Sequence, residues 1–156
     1  ADGSFVVENV LPGDYRLSFV GLPEGFYVKE ARLSGVDALT TLLRYGGPDS
    51  GSLDILISPN TGTINGTASP GAEVVLIPFQ NREGTELFRP VTADSAGRFT
   101  ISAIAPGDYI LAAWETLDPY AFFGRDVIQQ AETGGVRIRV LESSTQATDL
   151  VPIRRN

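Results

Sequence analysis

The sequence predicts an all-β chain. It reads as two tandem Greek-key β-sandwich units of the immunoglobulin or transthyretin type, the first without its opening strands. Three observations predict this. A sixteen-residue pattern occurs twice, 94 residues apart. Apolar residues alternate at period two through most stretches between turns. Gly and Pro number 17 and 10 among 156 residues, which makes the chain rich in turn residues.

The repeat organises everything else. Residues 2–17 read DGSFVVENVLPGDYRL and residues 96–111 read AGRFTISAIAPGDYIL. Seven of the sixteen positions are identical: Gly3 and Gly97, Phe5 and Phe99, Pro12 and Pro106, Gly13 and Gly107, Asp14 and Asp108, Tyr15 and Tyr109, Leu17 and Leu111. Each copy predicts a hairpin. Phe5 and Val7, or Phe99 and Ile101, supply a half-buried first strand. Pro-Gly fits the two central positions of a type II turn. Tyr15, Leu17 and Phe19, or Tyr109, Leu111 and Ala113, then point inward at period two.

The remaining elements follow in order. Strands are expected at 25–33 and 52–58. Pro59, Asn60 and Gly62 break the pattern, so the units are placed at 1–59 and 60–156. The second unit continues with strands at 62–68, 72–79 and 87–92, then the second hairpin. Residues 118–131 (DPYAFFGRDVIQQA) predict a short helical insert, or two turns broken at Gly124. Asp118 is placed to cap it and Pro119 to begin it, with Phe123, Val127, Ile128 and Ala131 near one face. Strands at 136–141 and 147–152 close the unit. The first unit has nothing equivalent to residues 60–95 ahead of its motif, so it is the incomplete one.

Composition removes much chemistry. A chain that is 42% hydrophobic and 20% charged is globular rather than disordered. It has no Cys and no His, which excludes disulfides, thiol catalysis, imidazole acid–base catalysis and thiolate or imidazole metal sites. A net charge of -7 and a pI near 4.5 argue against nucleic acid and anionic membranes as partners. No stretch of 18 apolar residues is present to span a membrane. The chain opens on Ala and contains no Met, and reads as a processed or excised C-terminal fragment of something longer.

On the two PGDYxL runs, together with GLPEGFYVKEARLSGVDAL, PGDYILAAWETLDPYAF and VRIRVLESSTQATDLVPI, the chain resembles the carboxypeptidase regulatory-like domains. These are transthyretin- or prealbumin-like sandwiches found in tandem in large secreted bacterial proteins, Acidobacteria among them. The resemblance implies a non-catalytic extracellular or cell-surface module that acts as spacer, stabiliser or recognition element. It implies no cofactor.

The candidate site residues are few, and no catalytic or metal-binding residue is assigned. Gly3, Pro12, Gly13, Asp14, Gly97, Pro106, Gly107 and Asp108 are read as structural residues of the repeat turns, the aspartates accepting backbone N–H bonds. Calcium is the alternative for Asp14, Asp108, Asp2 and Asp94, without EF-hand spacing. The acidic pairs Glu115/Asp118 and Glu83/Glu86 are read as turn polarity. Lys29 is the only lysine, so a Lys–Asn isopeptide link is excluded from the second unit. Trp114, Tyr120, Phe122 and Phe123 form an aromatic cluster, either core or a stacking surface for a glycan; Trp114, Tyr120 and Phe122 are the expected contacts. The expected function is a structural or interaction module, self-assembling by strand complementation of the incomplete repeat. The alternative is carbohydrate binding through residues 114–123. The partners implied are copies of the chain or a glycan.

Overall fold

A computed structural model describes residues 2–80, 82 and 87–154. The chain divides into two compact units. One comprises residues 1–21 and 28–57, the other residues 22–27 and 58–156. The fold is all-β with one α-helix.

The first unit holds β1 (Gly13–Tyr15), β2 (Tyr27–Leu33), β3 (Val36–Asp37), β4 (Leu43–Tyr45) and β5 (Leu53–Ser58). β1 pairs antiparallel with β4, placing Tyr15 opposite Leu43 and Asp14 opposite Arg44. A second sheet has the order β3-β2-β5. Ala31, Ala38 and Leu43 are the buried apolar side chains here, whereas Phe5, Val6, Val7, Leu11 and Val20 are exposed. The unit therefore has sheets without a core to match.

The second unit contains β6 (Gly62–Thr67), β7 (Glu73–Pro78), β8 (Arg89–Thr92), β9 (Arg98–Ile104), β10 (Gly107–Trp114), α1 (Arg125–Gly134), β11 (Val136–Val140) and β12 (Thr145–Asp149). Its sheets run β11-β10-β7-β8 and β12-β6-β9, with β12 parallel to β6. Between them lies a core of Ile64, Val74, Leu76, Phe99, Ile101, Ile104, Tyr109, Leu111, Val140 and Leu150. β7 and β10 are apolar on their outer faces too. Val75, Ile77, Ile110, Ala112 and Trp114 pack there against Phe122, Val127 and Ala131 of the helical insert. A strand buried on both faces needs a continuous apolar run, and VVLI and YILAAW provide it.

Several expectations are corrected. The PGDY motif does not close a hairpin. β9 belongs to the three-stranded sheet and β10 to the four-stranded one, so the motif carries the chain across the sandwich. Gly107 and Gly13 begin their strands instead of turning them. In the first copy Phe5 and Val7 lie outside any strand and are exposed, because no described strand stands beside them as β6 stands beside β9. The insert does break at Gly124: a 3-10 turn spans Ala121–Phe123, and α1 takes Gly124 as its N-cap. It begins later than Asp118 and Pro119 predict, with Tyr120 capping the 3-10 turn at φ 65°. The last strand starts two residues earlier than expected. The short β3 and β4 carry no alternating run long enough to read.

No described helix is long and apolar enough to cross a membrane.

Candidate functional site

The repeated motif is the feature that both units build, and it can be compared atom by atom. Gly97 sits at φ 77° and Gly3 at φ 80°. At Gly97 an added Cβ would come within 2.2 Å of the Ala68 carbonyl oxygen, whereas at Gly3 it would meet open space. Six residues on, Ala103 and Asn9 take positive φ of 56° and 59°, uncommon for non-glycine residues. The Tyr109 hydroxyl then donates to the Ala105 carbonyl at 2.7 Å, and the Tyr15 hydroxyl to the Leu11 carbonyl at 2.7 Å. Each ring folds back over the glycine two residues before it. This is the tyrosine corner of Greek-key sandwiches, in which a tyrosine at the start of a strand pins the crossing segment before it.

The aspartate between Gly and Tyr is likewise matched. Asp108 stands opposite Arg139 and forms a two-pronged pair, Nε to Oδ1 at 2.7 Å and Nη2 to Oδ2 at 3.2 Å. The Arg139 guanidinium holds the Asp108 carboxyl below the ordinary carboxylate value. Asp14 stands opposite Arg44 at 3.4 Å. These aspartates bridge to the neighbouring strand; the expected bonds to turn N–H groups are made by others. Asp94 accepts from Arg98 N and Ala96 N, which lowers its pKa, and Asp2 accepts from Ser4 Oγ and N, with the same effect. Pro12 and Pro106 lead into these strands. Among the described residues, no three or more carboxylates cluster as a metal site.

Environment separates the two copies. Tyr109 is 4% exposed and Tyr15 is 37% exposed. Burial pushes the Tyr109 phenol up to about 12, partly opposed by the Arg89 charge.

Two rings of the aromatic cluster, Trp114 and Phe122, are core. Trp114 has no exposed surface, and its Nε1 donates to Gln130 Oε1 at 3.1 Å. Phe122 is buried against Phe88 and Phe123. Trp114 and Phe122 therefore offer no face to a sugar, whereas Tyr120, 74% exposed, and Phe123, 38% exposed, keep part of their rings outside. A shallow groove of about 470 Å³ along α1 is lined by Asp126, Gln129, Gln130, Thr133, Gly134 and Ile153, with no aromatic ring. Tyr45 is half-buried in β4 opposite Gly13. Glu115 is exposed, 3.9 Å from Arg154, and Lys29 is exposed on β2. Glu83 and Glu86 lie outside the described residues.

The second unit also guards one of its sheet edges. Arg89 of β8 donates Nη1 to the Ala103 carbonyl and Nη2 to the Ser102 carbonyl of β9, at 3.0 and 2.9 Å. Edge strand β8 carries Pro90, which has no N–H to offer.

No family model matches the chain. Among curated proteins it is similar to serine-aspartate repeat-containing protein D of Staphylococcus aureus, 26% identical over 126 residues, covering 69% of this chain and 10% of that protein. The chain thus spans about a tenth of the length of the curated relatives it matches. Among solved structures it is similar to the TIE protein of Bacillus anthracis (14% identity, 81% of this chain and 24% of that one, TM-score 0.39). It is similar also to the minor pilin of Streptococcus agalactiae (17%, 88% and 63%, TM-score 0.36) and to BcpA, the major pilin subunit of Bacillus cereus (14%, 86% and 57%, TM-score 0.37).

Proposed function

We propose that the chain is a non-catalytic structural and interaction module of a larger extracellular or cell-surface protein, of the carboxypeptidase regulatory-like kind. It works by joining β-sandwich repeats through the open first unit. The observation that carries this reading is the exposure of Phe5 and Val7, whose counterparts Phe99 and Ile101 in the second copy are core. Apolar surface of that kind marks an interaction site, and strand addition is the mode that suits an unpaired sheet edge. The similarity to a repeat-containing protein supports a modular role. When the donor is another copy, joining is head to tail and does not close, so it builds chains. Burial of Trp114 and Phe122 weighs against the carbohydrate-binding alternative.

The test is molar mass by light scattering across a concentration series, with amide exchange read on the same samples. A mass that rises above 16.7 kDa with concentration supports joining between copies. A fixed mass with fast exchange over residues 4–20 supports an open unit whose donor is a different chain. A fixed mass with slow exchange there overturns the reading, because the unit would then be closed on itself.

A further inference from the structure

We infer that the second unit pairs with a second copy of itself through strand β12, in a two-fold arrangement centred on Ala147. The pairing uses no part of the first unit. The second unit has β8 and β11 at the edges of one sheet and β9 and β12 at the edges of the other. Three of these edges carry obstructions of the kind that keep sheets apart. Pro90 removes a donor from β8. The Arg89 guanidinium occupies the Ser102 and Ala103 carbonyls of β9. The Gln146 amide donates to the Arg139 carbonyl of β11 at 2.5 Å. β12 is different. Its sequence TQATD has no Pro, Lys or Arg, and it pairs with β6 without a register shift. Among the described residues β6 is its one neighbouring strand.

The backbone sets the register. β12 runs parallel to β6, with Thr63 N donating to the Ser144 carbonyl and Leu150 N donating to the Thr67 carbonyl. In such a ladder alternate residues turn both backbone groups to the same neighbour, so residues 144, 146, 148 and 150 face β6. Thr145, Ala147 and Asp149 turn theirs to the open side, and all three are exposed. An antiparallel partner meets residues of this kind as hydrogen-bonded pairs. A two-fold axis at Ala147 sets Ala147 opposite itself, the smallest side chain of the three at the tightest point. It sets Thr145 opposite Asp149 of the second copy, twice over, so that each pair matches a hydroxyl donor to a carboxylate. Asp149 already accepts from the Thr67 hydroxyl through Oδ1 at 2.5 Å, and Oδ2 is the atom that would receive Thr145. Moving the axis to Asp149 would set two carboxylates face to face, which is destabilising. Pairing at Ala147 joins two three-stranded sheets into one and closes at two copies, whereas joining through the first unit builds chains.

A pair of five-residue strands buries less than the ~1,200 Å² of the smaller stable interfaces, so the association is weak and is best read by trapping. The chain has no Cys, so one thiol can be introduced alone. Across a hydrogen-bonded pair the Cα atoms lie about 5.5 Å apart, within the span of a disulfide. The full chain carrying Ala147→Cys is oxidised in glutathione buffer at high salt, which screens the repulsion between chains of net charge -7. It should form disulfide dimer at least about tenfold faster than the chain carrying Thr92→Cys, exposed on the obstructed β8 edge. In the unsubstituted chain, amide exchange over residues 145–149 should slow as concentration rises. Ala147→Pro should remove that slowing and leave Trp114 fluorescence unchanged, because the Ala147 N–H faces the open edge and no bond within the chain is lost. Equal trapping rates for the two cysteine variants overturn the inference. So does slowing over residues 145–149 that survives Ala147→Pro. Where Ala147→Pro disturbs Trp114, the trapping rates decide alone. Joining through the first unit would protect residues 4–20 instead, so the two readings fail separately.

Discussion

Residues 3–15 and 97–109 make the same backbone turns, yet Tyr109 is in the core and Tyr15 is more than a third exposed. The comparison separates two things that usually arrive together. The turn geometry is carried by the motif: a glycine at positive φ, a second left-handed residue, a tyrosine hydroxyl reaching back four residues, and an aspartate across from an arginine. Burial is carried by what stands beside the motif. In the second copy β6 and β7 stand there; in the first, among the described residues, nothing equivalent does.

The largest expected effect tests that division directly. Leu111 has no exposed surface and sits in the sandwich core, so Leu111→Ala should cost about 2–5 kcal/mol in denaturant unfolding followed by Trp114 fluorescence. Leu17 is its counterpart in the first unit. Leu17→Ala should cost under about 1 kcal/mol by the same probe. Equal losses would break the comparison, because they would mean that the first copy already takes part in the core that Trp114 reports.

Next in size is an alkaline effect. The unfolded chain ionises a tyrosine near 10, whereas Tyr109 holds its proton to about 12 when folded. Between those values the unfolded state binds fewer protons, so stability falls as pH rises and levels off above 12. The loss amounts to about 2–3 kcal/mol. Tyr109→Phe should remove most of this fall. It should also lose about 1 kcal/mol at neutral pH with the hydroxyl bond to Ala105. A full alkaline fall in the Phe variant would assign the effect to other groups.

Much of this was legible in the chain itself. The repeat, the helix break at Gly124, and the strands around AEVVLIPF and VRIRV follow from spacing and periodicity. The corner did not, because Pro-Gly between two alternating runs reads the same whether the runs pair with each other or cross to opposite sheets. Only partner strands decide between these, and β6 and β7 are distant in sequence from the motif they receive. Trp114 was ambiguous for a similar reason. A ring beside a helical insert looks the same from sequence whether the insert covers it or leaves it exposed. One clue was present: YILAAW lacks the polar alternation of YRLSF, which marks a strand covered on both faces.

The smallest effect sharpens the comparison at its most exposed point. Asp108 and Arg139 form two bonds in the second copy, whereas Asp14 and Arg44 meet through one pair of atoms at 3.4 Å. Both pairs are solvent-exposed, so neither contributes much. The Asp108 carboxyl is nonetheless held below its ordinary value near 3.8 by the guanidinium. A depressed carboxyl contributes stability that is present above the unfolded value and lost as pH falls through the folded one. Asp108→Asn should therefore lower stability slightly at neutral pH and flatten the acid limb below about pH 4. Asp14→Asn should leave that limb unchanged when read at Trp114. An equal flattening from both variants would tie the first copy's ion pair to the second unit's stability, and the two copies would then differ in burial but not in what they hold together.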